Sequence, residues 1–175
     1  MEPSLPPPAQ ASVERARALV AAIPDPEIPV VTLAELGILR DVREEAGRVV
    51  VTLTPTYTGC PATRFIEEQV REALAAGGFA GAQVRTTLSP AWTTDWISED
   101  GRRKLREFGI APPAHDAPPA TAVIRFAPRP APAGPACPRC ASADVERLAE
   151  HGSTPCKALY RCLACREPFD YFKPY

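Results

Sequence analysis

Two C-x-x-C hooks, CPRC at Cys137 and Cys140 and CLAC at Cys162 and Cys165, stand 21 residues apart and constrain this chain more than any other feature. Each hook bends the backbone so that two sulfurs can reach one metal. Four thiolates suit tetrahedral Zn²⁺, and rubredoxin-like iron is the competitor for the same geometry. The hooks lie in residues 137–175, a segment too short to bury much surface, so the metal is expected to supply most of its folding energy. Between the hooks, VERLAEHGSTPCKALYRC reads as two short strands joined by a Gly-Ser-Thr-Pro turn, and FDYFKPY supplies a third. Tyr160, Phe169, Tyr171, Phe172 and Tyr175 are the candidates for the small core of this ribbon. Cys156 belongs to neither hook and reads as an incidental cysteine ahead of a free thiol, a replacement ligand or part of a functional edge.

Bulk charge excludes several functions. The net charge is −1, and the ribbon balances six Lys/Arg against five acids, so no basic stripe marks a nucleic-acid binder. The opening MEPSLPPPAQA has no basic, apolar leader, and no run approaches the roughly 20 apolar residues that cross a membrane. The expectation is a cytoplasmic protein in a reducing compartment, with clustered cysteines acting as metal ligands rather than disulfides.

Proline divides the chain, concentrating in residues 3–8, 112–119 and 128–138. The expected parts are a disordered N-terminus at 1–11, an α/β domain at 12–113, a Pro-rich linker at 114–136 with a strand-like TAVIRF island at 121–126, and the ribbon at 137–175. Within 12–113, SVERARALVAAI reads as an amphipathic helix capped by Ser12 and stopped by Pro24. GILRDVRE and RVVVTLTPT alternate like a hairpin around Gly47. In the second strand Val49, Val51 and Leu53 face a core while Thr52, Thr54 and Thr56 form a row of hydroxyls. A helix from Pro61 carries Phe65, Ile66, Val70, Ala73 and Leu74 to Gly77-Gly78, AQVRTTL gives a third strand, and a helix over 99–108 follows the Ser98 cap. The order α-β-β-α-β-α predicts an α/β (α+β) fold, a three- to four-stranded sheet with packed helices, followed by the four-cysteine zinc ribbon.

Cys60 sits at or beside the start of the second helix, where unpaired N–H groups and the positive end of the helix dipole favour a thiolate. The bland reading is a small buried residue at a strand-to-helix junction. A nucleophilic role is poorly supported, because the only histidines, His115 and His151, lie in the linker and the tail. PDPEIPVV fixes an extended loop from which Asp25 and Glu27 project, as turn residues or as metal-positioning and proton-transfer groups.

DPEIPVVTLAELGIL, TLTPTYTGCPA and SPAWTTDWISEDGRRKLREFGIAPP, in that order, resemble the SufT-like domain of iron–sulfur cluster assembly factors over residues 12–113. The tail GSTPCKALYRCLACREPFDYFK resembles the zinc ribbon of the branch that serves aerobic phenylacetate degradation. The resemblance implies a non-enzymatic accessory factor for assembly, delivery or repair of iron–sulfur or iron centres in the multicomponent phenylacetyl-CoA 1,2-epoxidase. Its partners would be the oxygenase subunits, the reductase or the di-iron subunit, with neither nucleic acid nor membrane. It also implies a homodimer, a structural zinc, and a transient iron–sulfur cluster or iron held at Cys60 with Asp25, Glu27, Thr54 and Thr56 around it. One thiolate cannot close a [2Fe–2S] site, which takes four ligands, so a second subunit or outside ligands would complete it. The alternative is a scaffold subunit without metal transfer. A thiol oxidoreductase using one hook is weaker, because one metal explains two matched hooks.

Overall fold

The computed structural model describes residues 8–113 and 134–174. They form two compact units, one of residues 8–92 with 96–101, the other of 93–95 with 102–174.

The first unit is built around one central strand. Helix α1 (Pro8–Ala21) is followed by β1 (Leu39–Glu45) and β2 (Arg48–Leu53), paired antiparallel from Leu39↔Leu53 to Glu45↔Arg48. The two-residue turn Ala46–Gly47 has φ of 48° and 75°, the left-handed pair whose twist matches a tight hairpin. Helix α2 (Ala62–Ala76) then crosses over so that β3 (Gln83–Thr86) runs parallel to β2, Val51↔Val84, giving the sheet order β1-β2-β3. α1 packs on β1 and α2, and α2 on β3. Ala16 and Val20 of α1 and Ile66, Val70 and Leu74 of α2 are buried, as are Val42, Val49, Val51 and Leu53 of the sheet. Each larger apolar side chain so buried contributes about 1.5–3 kcal/mol.

Three details depart from the sequence reading. α1 begins at Pro8, four residues before Ser12, because proline is well suited to a first helical turn and Ala9, Gln10 and Ala11 continue it readily. Phe65 is 51% exposed instead of joining the α2 stripe. The hydroxyl row on β2 is not an open face. Val50 in the same row is fully buried, in register with Arg43 and Gln83, and Thr54 and Thr56 beyond it are buried as well. β2 is therefore covered on both faces, as a central strand usually is. Asp41, Arg43 and Glu45 of β1 and Arg85 of β3 form a lattice of exposed ion pairs.

Helix α3 (Glu99–Phe108) starts where expected, with Ser98 Oγ accepting the Gly101 N–H at 3.0 Å. From Arg102 the chain belongs to the second unit. There β4 (Ile110–Ala111) joins β5 (Val145–Ala149), β6 (Lys157–Cys162) and β7 (Pro168–Phe172) in the order β4-β7-β6-β5. The three ribbon strands match the sequence reading, whereas β4, paired parallel with β7 through Ile110↔Asp170 and Ala111↔Tyr171, has no counterpart in it. The compact units thus divide near residues 93–102, ahead of the Pro-rich linker. TAVIRF (121–126) and Tyr175 lie outside the described residues. Phe169 and Phe172 are buried, and Tyr160 stacks on Phe169 at 5.9 Å and meets Tyr171 edge-on at 5.6 Å.

Candidate functional site

Sulfur is presented at two places. In the ribbon, the first hook leads into the β5–β6–β7 meander and the second forms the β6–β7 turn, and the Sγ atoms of Cys137, Cys140, Cys162 and Cys165 all lie within 4.8 Å of one another. Cys137 and Cys165 are 3.7 Å apart and Cys140 and Cys162 3.5 Å. A tetrahedral zinc about 2.3 Å from each sulfur would set them about 3.8 Å apart, so the donor set fits the metal. Each hook closes the same way. The residue after its second cysteine, Ala141 or Arg166, has a φ of 60° or 68°, and its N–H donates to the carbonyl of Cys137 or Cys162 at 2.9 and 3.0 Å. Neither is glycine, so each costs about 1 kcal/mol of backbone strain that the closed site must offset.

Thiol electrostatics in this corner are divided. The Cys165 backbone N–H, 3.4 Å from Cys162 Sγ, is the main cause that brings the Cys162 thiol down to about 7. At Cys165 the Glu167 backbone N–H pulls the other way but is outweighed by burial and the neighbouring thiols, which push it up to about 12. Four thiolates cannot coexist this closely without a cation, and a bound metal removes the conflict by deprotonating them all. Cys156 stands apart, buried, with its Sγ 3.0 Å from Thr154 Oγ1.

The other sulfur is Cys60. It lies in the loop between β2 and α2, at the carboxyl end of the parallel β2–β3 pair, where loops of crossover units commonly carry function. Gly59, at φ 88°, turns the chain into Cys60. Cys60 N–H donates to Tyr57 O at 3.4 Å, Thr63 N–H donates to Cys60 O at 3.2 Å, and the sulfur is half-buried. Pro61 follows in helical conformation, and no side chain caps this end of α2. Cys60 therefore sits immediately before the helix cap.

The acidic loop reaches the same end of the sheet through a ladder of backbone bonds. Leu33 N–H donates to Ile23 O, Ile38 and Leu39 N–H to Leu33 O, and Thr54 N–H to Ile38 O. Asp25 is 7% exposed, and its Oδ1 accepts the N–H groups of Glu27 at 2.9 Å and Ile28 at 2.8 Å. The turn-forming reading of Asp25 describes that bonding. Glu27 is half-buried on the same loop. Thr54 is 1% exposed and its Oγ1 has no hydrogen-bond partner among the described residues. A buried hydroxyl in that state costs about 1–3 kcal/mol. Sequence alternation could not show this, because it assigns Thr54 to a face but not what covers that face.

Known proteins of similar sequence match both halves. Residues 13–85 match the family model described as iron-sulfur cluster assembly protein, and residues 126–173 match the PaaD zinc beta ribbon domain. Across 89% of each chain the sequence is 50% identical to a putative 1,2-phenylacetyl-CoA epoxidase subunit of Escherichia coli. It is 37% identical, over 50% of this chain and 84% of the relative, to an Fe-S protein maturation auxiliary factor of Porphyromonas gingivalis. The crystal structure of a DUF59 domain of unknown function from Bacillus anthracis superposes with a TM-score of 0.51 at 27% identity, covering 55% of this chain and 93% of that one.

Proposed function

Because the chain belongs to the PaaD family of phenylacetyl-CoA epoxidase proteins, in which an iron–sulfur cluster assembly domain precedes a metal-binding zinc ribbon, we propose that it is an accessory factor in phenylacetate catabolism. It assembles, delivers or repairs iron–sulfur or iron centres of a phenylacetyl-CoA 1,2-epoxidase and performs no oxygenase chemistry itself. The reductase or di-iron subunit is its client.

One observation carries this reading: a half-buried thiol, Cys60, at the end of a crossover loop whose first residue, Thr54, keeps a buried hydroxyl without a hydrogen-bond partner among the described residues. In this role the Cys60 thiolate is the one protein ligand to the cargo, and Thr54 and Thr56 donate hydrogen bonds to cluster sulfide. Asp25 shapes the acidic loop through its two amide bonds, which sets Glu27 as the carboxylate that positions metal or accepts the thiol proton. A single protein thiolate leaves the remaining coordination sites to a second copy of the chain or to the client, which makes the holding weak and the cargo transferable. In the ribbon, Cys137, Cys140, Cys162 and Cys165 hold zinc, whose part is structural.

The test compares wild type with Cys60→Ser after anaerobic reconstitution, measuring iron, sulfide and zinc together with the visible spectrum. The expected outcome is about one zinc per chain in both proteins, with sulfide-linked iron in wild type alone and loss of client activation by the variant. Equal client activation by both proteins would overturn the transfer role in favour of a scaffold.

A further inference from the structure

In the second unit the metal corner and β4, the short strand that follows α3, share one small core. Ala111, 1% exposed, lies in a single buried cluster with the metal-site cysteines Cys137 and Cys162 and with Phe169. It reaches that cluster because β4 runs parallel to β7, with Ile110 opposite Asp170 and Ala111 opposite Tyr171. Two residues of strand cannot hold themselves, so β4 exists only as long as β7 is in place. Just before it, Arg102 of α3 is 1% exposed, and its guanidinium donates to Pro113 O, at 2.5 Å through Nη1, and to Thr94 O, at 2.6 Å through Nη2. That one buried side chain ties the segment after β4 to residues 93–95.

We propose that the ribbon metal is a conformational switch for residues 102–113, so that the metal state of the four-cysteine corner decides whether α3 beyond Arg102 and β4 are ordered. A small three-stranded meander with so little buried surface is not stable without its metal. Loss of the metal releases β7, loss of β7 releases β4, and the Arg102 clamp then loses the fixed Pro113 carbonyl that it binds. The coupling runs both ways, as any linkage must: damage to the β4 side weakens metal holding at the hooks.

Hydrogen exchange on the full-length chain, zinc-loaded and after zinc removal by a thiol-displacing reagent and chelator, reads the switch directly. The expected result is that amides of 145–172 and of 102–113 gain exchange together, the latter by at least about tenfold, while those of β2 and α2 keep their protection. Unchanged exchange at 102–113 beside a deprotected ribbon would overturn the proposal, as would a ribbon that stays protected without zinc. The reciprocal arm uses Ala111→Lys, which puts a charge into the shared cluster. Zinc transfer from this variant to a chromogenic chelator is expected to be about tenfold more favourable than from wild type. Equal zinc affinity in a variant whose 102–113 segment is deprotected would equally overturn the coupling.

Discussion

In the ribbon four sulfurs gather within 4.8 Å, held by two hooks that each end in a left-handed residue, whereas at the end of β2 one half-buried sulfur sits on a loop fixed by scattered single hydrogen bonds. The first arrangement concentrates its stability in one metal node. The second distributes it over Asp25, the Ile23–Leu33–Ile38–Thr54 backbone ladder and the bond from Thr86 Oγ1 to Glu67 Oε1 at 2.6 Å. A node fails as a whole, because losing the metal unfolds what it holds. A distributed frame does not depend on its sulfur or on the Thr54 hydroxyl, and it is these two groups that the proposed carrier role uses.

The contrast is broken most severely at the node. Cys162→Ser should leave the ribbon unfolded and zinc-free, seen as lost dispersion of residues 137–172 in NMR spectra, and the wild-type ribbon should shed zinc increasingly as pH falls, since protons compete for its thiolates. Asp25→Ala is the strongest single blow to the frame. It leaves the amides of Glu27 and Ile28 without their acceptor and is expected to cost about 2–3 kcal/mol in urea denaturation of the first unit. Thr54→Val should cost no stability and add up to about 1 kcal/mol, because the hydroxyl it removes has no partner among the described residues, yet it should lower iron retention after reconstitution. A clear loss of stability would show that the hydroxyl serves the fold.

The smallest effect concerns the Glu67–Thr86 bond between α2 and β3. The Thr86 hydroxyl, with Arg71 and Arg64 nearby, holds the Glu67 carboxyl below the usual carboxylate range against the opposing effect of burial. Its stabilisation is therefore complete above that range and lost as pH falls through the lowered folded value. Glu67→Gln should lower the Tm slightly at neutral pH, by the equivalent of about 1 kcal/mol or less, and the gap to wild type should close on acidification.

The same contrast decides what the sequence discloses. The hooks lie in short local spacing, so CPRC and CLAC alone predict the corner that forms, and the segments between and after them predict the three strands and the aromatic core. The α-β-β-α-β-α order is legible for a similar reason, since periodicity is local. What is hidden depends on distant neighbours. β4 is too short for a pattern, and its partner lies sixty residues further on, Ile110 opposite Asp170. The alternation of β2 gives Thr54 and Thr56 a polar face, yet just past the end of this central strand both are buried. Ala141 and Arg166 occupy left-handed positions without the glycine that would announce them. Resemblance supplied the weight on Cys60 that residue chemistry alone left open.

The Ile110↔Asp170 pairing also has a consequence in time. The β1–β2 hairpin closes over a two-residue turn and can form as soon as it is made, but β4 must wait for β7. At ordinary synthesis speeds those sixty residues take about 3–12 s, during which Ile110 and Ala111 emerge with their apolar surface uncovered. The wait ends when the last ribbon strand arrives and a metal is at hand to fold it. A newly made chain in a zinc-starved cell would stay at that stage, a target for chaperones and proteases, so metal supply would set how much finished protein accumulates.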